Sequence, residues 1–384
     1  MLILLFLIFS TDPLKAEYLT VGRDLIVNLP ASWQVDGTIG TKLSASNRAD
    51  EAFLLIQTSD GSRFDSVETM FASYIRELEA DAQGGDTFLF SGNSAYIGTL
   101  RFSFDGEVHS GYILCIESLR LDAIALAFAS GDDFPAYQDM LLSIIDSIAL
   151  GENGLMSPGP VSQSLSPYPE PDRDLFQIQF DGKEIPVSIS REALAASQEV
   201  IEREARVLVA YAGTPYAEEA WQRYYRMLYR DLYRRSRPVY TALRQHLRPE
   251  DSSPREISEK LLQWVQGFEY SRMDTVSDCL TPLQGAVEQT GDCDSRGLLL
   301  TMLLHSYGIE AILMVSGLYG HSMVGVDIPG DGARFAYNGK NYLVAETTDQ
   351  VDLGLIDSSM ADPNGWLGVD FFNARILSAS PADE

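Results

Sequence analysis

The chain has 384 residues, 45% of them hydrophobic, 10% aromatic and 22% charged, which excludes disorder as its overall state and predicts more than one domain. A formal net charge of −27 excludes general nucleic-acid binding, because phosphate contact needs clustered cations. Three cysteines are too few for a disulfide scaffold, and their odd number leaves at least one free thiol.

The N-terminal "MLILLFLIFSTDPLKAEY" holds an apolar run from Leu2 to Phe9 that is too short to span a bilayer. Residues 1–16 read as a secretory signal or weak anchor without a basic n-region, with a cut after Ala16. An exported protein, periplasmic or associated with the cell envelope, is therefore expected. No other window resembles a transmembrane helix.

Residues 17–150 carry short strand-like runs separated by turn residues, among them "DLIVNLP", "AFLLIQTS", "SAYIGTLRFSFDG", "VHSGYILCIES" and "AIALAFAS". "SVETMFASYIRELEADA" and "PAYQDMLLSIIDSIAL" have helical spacing instead. One antiparallel sheet backed by helices follows, an α+β layout. Through "LIVNLPASWQV" and "FPAYQDMLLSIIDSIAL" this module weakly resembles the PsbP-like fold of small exported modules, a resemblance that carries no catalytic residues. Cys115 falls in one of the strands and is expected in the core.

Residues 151–174, "GENGLMSPGPVSQSLSPYPEPDRD", are rich in Pro, Ser and Gly and read as an extended linker. A β-hairpin pattern, "LFQIQFDGKEIPVSIS", then leads into helices over about 190–265. Within them, residues 221–260 hold ten of the 28 Lys and Arg residues. Arg223, Arg226, Arg230 and Arg234 repeat at helical spacing, interleaved with Trp221, Tyr224, Tyr225, Tyr229 and Tyr233. Such a stretch is as a rule a solvated arginine face beside a tyrosine-rich packing face; its sharper reading is a groove wall, with Arg226 and Arg230 contacting an acidic substrate.

The stretch "QTGDCDSRG" places Cys293 between two aspartates at the start of an apolar run ending at Gly308. Asp292 is a good N-cap, so the thiol falls in the first helical turn, where the helix dipole favours a thiolate and the flanking carboxylates oppose it. A neighbouring imidazole is therefore required. The chain has four histidines: His109, His246, His305 and His321. His305 shares the helix of Cys293 but lies ~18 Å along its axis, out of reach. His321 opens the alternating "HSMVGVDIP", and a second strand, "NYLVAETTD", pairs with it and brings up an acid, Glu346, with Asp349 as the fallback.

Helix-borne Cys, strand-borne His and an acid on the next strand is the order of a known group. Residues 258–357 resemble the transglutaminase-like branch of the papain-like thiol superfamily, through "LLQWVQGFEYSR", "LTPLQGAVEQTGDCDSRGLLLTMLLHSYGIEA", "GHSMVGVDIP" and "NYLVAETTD". The resemblance implies Cys293 as nucleophile, His321 as base and Glu346 as third residue, within a C-terminal domain over 175–384. It also implies acyl transfer through a thioester: hydrolysis of a peptide or amide, or transfer to an amine. The interval from Cys293 to His321 is short for the group, Glu346 stands where Asp is usual, and small Ser295 and Gly297 follow the thiol.

Gln266 and Gln284 are candidate oxyanion donors, and Tyr270 a candidate groove residue beside Arg226 and Arg230. Cys279 is a structural thiol or a redox partner of Cys293. No cofactor or metal is expected: the cysteines and histidines form no close zinc-type pair, and no "DxDxDG" loop occurs. The expected partner is a peptide or protein substrate, a cell-envelope one included, with a protein partner for the N-terminal module. The competing function is a non-catalytic interaction scaffold on a papain-like core.

Overall fold

The computed structural model describes residues 18–61 and 63–371, so the expected N-terminal signal lies outside the described residues. Helices and antiparallel sheets make an α+β protein, with a sheet-rich N-terminal region. The described residues form two compact units: one up to Pro171 with Arg206–Ala220, the other Asp172–Ala205 with the described residues from Trp221.

The first unit is built on an antiparallel sheet in the order Trp33–Ile39, Lys42–Asn47, Ala52–Asp60, Leu121–Ser130, Glu107–Glu117, Asn93–Phe104, Asp81–Phe90. Its two central strands divide their side chains between two cores by strict alternation. Ala52, Leu54 and Ile56 join Ala123, Ala125, Ala127 and Ala129 on one face, where Leu141, Ile144 and Ile145 of the helix Phe134–Asp146 cover them. Ile124, Leu126 and Phe128 point the other way, onto Val67, Met70 and Tyr74 of the helix Val67–Glu77. The row of alanines leaves that first face flat and lets a helix lie close to it. Cys115 belongs to the second core, where burial pushes its thiol up.

Residues 151–174 are not an extended linker throughout. Glu152–Met156 form a 3-10 turn and Pro160–Leu165 a short helix, with Leu155, Met156 and Val161 buried. The polar residues that suggested a linker are satisfied locally: Ser162 N–H donates to Asp146 Oδ1 at 3.0 Å, and Gln163 Nε2 to Pro158 O at 2.6 Å. Gly159 allows this, since a Cβ there would sit 1.9 Å from Asp146 O. The boundary between units falls later, at 171/172. Nor does the first unit end with the N-terminal segment. It includes residues 206–220, whose Arg206 pairs with Asp139 through two bonds of 2.8 and 3.0 Å and whose Val207, Tyr211 and Ala220 cluster with Met140.

The second unit opens on the hairpin Asp174–Phe180 and Lys183–Ile189, joined at Asp181 and Gly182, both with positive φ as an Asp-Gly hairpin turn requires. Helices follow where the sequence places them, including Arg237–His246 and Pro254–Gln266. The latter is closed by Ser253 and Glu256 in a reciprocal capping box. An antiparallel sheet then runs in the order Arg334–Tyr337, Lys340–Ala345, His321–Val326, Ala311–Ser316, Leu367–Val369. The helix Cys293–Ser306 is buried along nearly its whole length. Gly297 is what lets it meet the sheet: a Cβ there would lie 2.8 Å from Leu313 Cδ1 and 3.5 Å from Ser322 Oγ.

Candidate active site

Asp292 caps the helix as its sequence position suggests, its Oδ1 accepting from Ser295 N–H at 2.9 Å, and Cys293 is the first helical residue. The approach to the cap is held by the neighbouring chain: Glu269 N–H donates to Gln289 O at 2.8 Å and Gly291 N–H to Glu269 O at 3.0 Å. Gly291 has φ +150°, and a Cβ there would fall 2.9 Å from that of Ser295. Cys293 is 3% exposed, at the start of its helix.

His321 begins its strand, and Val324 pairs with Ala345 across the ladder. Continuing that register one step sets Glu346 opposite Met323, diagonal to His321 on the same face. His321 Nε2 and Glu346 Oε2 are 2.8 Å apart. The other carboxylate oxygen, Oε1, accepts from Thr348 N–H at 2.7 Å and Thr348 Oγ1 at 2.6 Å, so the acid is held from both ends. With Nε2 engaged, Nδ1 is the nitrogen left for Cys293. Burial works against a charged ring, but hydrogen bonds and charge from Cys293 and Glu346 outweigh it and raise the His321 pKa to about 10. Glu346 is only 4% exposed, yet bonding to His321 and Thr348 outweighs its burial and holds its carboxyl below the ordinary value. The three residues thus come together. Asp349 is exposed and takes no part in this chain of bonds.

The carboxyls beside the thiol behave as a crowded pair. Burial, then the charge of Asp294, raises Asp292 to about 7. Asp294 is also raised, chiefly by burial, with a hydrogen bond from Tyr225 acting the other way. Potential ligand atoms of Asp292, Cys293 and Asp294 lie within 4.8 Å of one another. Trp366 stands edge-on to the His321 ring at 6.3 Å and is fixed by its Nε1–H donating to Met360 O at 2.8 Å.

Several expected site residues do other work. Gln266 is not free to donate to an oxyanion, because its Nε2 hydrogens go to Glu346 O at 2.8 Å and Val351 O at 2.9 Å. Gln284 is tied to Glu288 of its own helix at 2.8 Å. Arg226 bonds Asp370, through Nε to its carbonyl at 3.0 Å and through Nη2 to its carboxylate. Arg230 is buried, as is Arg223, which reaches Glu204 Oε2 at 3.1 Å. The arginine face of this helix is therefore interior structure rather than groove wall. Tyr270 does remain at the surface, 51% exposed, beneath Arg296 and within hydrogen-bond reach of Arg272. Cys279 is buried, its sulfur 3.4 Å from Ser295 Oγ, and all three cysteines are free thiols. His305 is a structural residue: Tyr229 Oη lies 2.7 Å from Nδ1, and burial lowers its pKa to about 4.

Thr348, Trp366 and Arg296 are absent from the expected set. A charged residue inside an otherwise apolar helix was a legible signal for Arg296. Nothing local marked Thr348 or Trp366.

No family model and no curated protein matches this chain. Among solved structures, cyanobacterial PsbP (CyanoP) from Synechocystis is similar at 9% identity, over 37% of this chain and 98% of its own, with a TM-score of 0.30. LpqN of Mycobacterium tuberculosis, involved in cell envelope biogenesis, is similar at 15% identity over 32% and 82%, with a TM-score of 0.25. A Bacteroides thetaiotaomicron protein is similar at 9% identity over 84% and 87%, with a TM-score of 0.26. The PsbP and LpqN likenesses fall on the N-terminal part and are weak. At such scores the fold and chemistry rest on this chain's own residues.

Proposed function

We propose that this chain is a cysteine-dependent acyl-transfer enzyme of the transglutaminase-like kind, acting chiefly as a peptide or amide hydrolase. The observation that carries the reading is the His321 ring, bonded to Glu346 at 2.8 Å and coupled by hydrogen bonding and charge to Cys293. In this reaction Cys293 Sγ attacks the substrate carbonyl carbon, forming a C–S bond and an oxyanion. The Cys293 backbone N–H, at a helix start with no carbonyl four residues back in the helix, is an available donor to that oxyanion. His321 returns the proton to the amine as the C–N bond breaks, leaving a thioester. A water, giving its proton to His321, then displaces the thiol and releases the acid. Glu346 orients the ring and stabilises its charged form.

Hydrolysis is favoured over transfer because, among the described residues, no set beside Cys293 suggests an amine site. The N-terminal apolar run supports an exported protein, acting on a peptide or protein of the cell envelope, and among the described residues no helix is long and apolar enough to cross a membrane. Mapping iodoacetamide labelling by mass spectrometry near neutral pH tests the reading. Cys293 is expected to label far faster than Cys115 and Cys279, and Cys293→Ala to remove the fast event. Labelling no faster than in the unfolded chain would leave a non-catalytic scaffold on the same core.

A further inference from the structure

Arg296 joins the segments that carry Cys293 and Glu346. It is 2% exposed within an apolar helix. A buried guanidinium is costly unless its N–H groups are satisfied, and among the described residues no carboxylate pairs with it. Its donors go instead to three carbonyls: Nε to Gly291 O at 2.9 Å, Nη2 to Phe268 O at 2.7 Å, and Nη1 to Thr347 O at 3.4 Å. Its cationic carbon lies 5.6 Å from the centre of the Tyr270 ring.

These carbonyls are not scattered. Gly291 precedes the cap residue of the Cys293 helix, Thr347 follows Glu346, and Phe268 begins the strip that bonds residues 289–291. We infer that Arg296 is a positioning residue, whose planar fork fixes the start of the Cys293 helix against the backbone of Glu346 and so sets thiol and carboxylate on either side of His321. The inference rests on the acyl-transfer reading. Gln266 clamps the same turn from another helix, through Glu346 O and Val351 O. A lysine cannot replace the fork, because its donors radiate from one atom. The charges facing Arg296 are Asp292, Cys293 and Glu346, together with the Tyr270 hydroxyl, while His321 faces Cys293 and Glu346.

The test follows the His321 ring by NMR titration in the full chain, alongside iodoacetamide labelling of Cys293 and near-UV circular dichroism as a check on packing. Wild type is expected to titrate near pH 10. Arg296→Met and Arg296→Lys are both expected to titrate lower by about one unit or more, toward the ordinary value of about 6.5. Labelling at pH 7 should fall about tenfold or more in both, with Lys no better than Met. Gln266→Met should shift in the same direction by less. A folded Arg296→Met that titrates like wild type overturns the inference. So does full rescue by Arg296→Lys, which would make the charge and not the fork the operative feature. If Arg296→Met does not fold, Arg296→Lys and Gln266→Met decide on the same criteria. Wild type titrating near 6.5 with a slow thiol is a different result: it removes the acyl-transfer reading itself, and the inference with it.

Discussion

Both units bury a cysteine and a histidine near an antiparallel sheet. In the first, Cys115 and His109 lie on one strand, Glu107–Glu117, six residues apart and so ~20 Å from each other. His109 sits among the rings of Phe102 and Phe128 at 5.5 and 5.4 Å, and Cys115 lies in a core of aliphatic and aromatic side chains, with Tyr96 opposite it across the ladder. In the second, Cys293 begins a helix, His321 begins a strand, and Glu346 lies just beyond the end of another. Strand and helix interiors bury side chains against apolar neighbours. Element ends leave unpaired backbone groups and room for polar side chains to converge. Burial among apolar neighbours favours an inert thiol, and the proposed function needs the same residue type at a helix start, with an imidazole beside it, to be a reactive one.

The sharpest way to break this comparison is to remove the histidines one at a time. His321→Ala is expected to lower turnover on the order of 10⁴-fold, ~5.4 kcal/mol, and Cys293 labelling near neutral pH by about tenfold or more, whereas His109→Ala should leave both unchanged and affect stability alone. Equal kinetic effects from the two would mean that position at an element end decides nothing.

The converse change is in the first unit's core. Leu141→Ala, on a helix packed over the alanine row, should cost about 2–5 kcal/mol by denaturant unfolding and leave Cys293 labelling in the folded protein untouched. A matching fall in labelling rate would couple the two units and dissolve the contrast.

Glu346→Gln keeps the shape of the acid but removes its charge. It should lower turnover by one to three orders of magnitude, about 1.4–4 kcal/mol, with much of the labelling retained. Thr348→Val, which deletes one donor to Oε1, should fall in the same direction by about tenfold or less, and Asp349→Asn should be silent. A crippling Asp349→Asn beside a silent Glu346→Gln would reassign the acid.

The smallest effect is in pH dependence. The folded His321 pKa, about 10, lies above its ordinary value, so the ring favours folding fully below pH ~6.5 and loses that contribution as pH rises through 10. Melting temperature measured from pH 6 to 10.5 should therefore drop more steeply in wild type than in Glu346→Gln, where the ring starts from a lower pKa. Parallel curves would show that the His321–Glu346 bond contributes nothing to folding.

Much of the site was legible one residue at a time. Asp292 as a cap, the buried helix, the strand opening at His321 and the acid on the next strand each follow from local rules of capping and alternation. The two helical stretches of the N-terminal module and the hairpin before residue 190 were equally plain. The errors came where a residue's partner is distant in sequence. Gln266 looked like an oxyanion donor until its hydrogens were found on carbonyls 80 and 85 residues away. The arginine stripe read as a solvated face or a groove wall, but Arg223 is matched to Glu204 and Arg226 to Asp370. Residues 151–165 looked like linker because composition counts Ser, Gln and Pro as polar or breaking, and does not see Asp146 waiting for their N–H groups.

By itself the sequence determined the alternation of the strands, the helical character of the main segments, and which cysteine, histidine and acid stand at element ends, since all of these depend on spacings of a few residues. Tertiary structure alone decided that His321 Nε2 meets Glu346 rather than Asp349, that Arg296 joins three separate carbonyls, and that residues 206–220 belong with the first unit. Those outcomes depend on strand register and on hydrogen-bond partners tens of residues apart. A buried donor takes whichever acceptor the packed chain brings within about 3 Å.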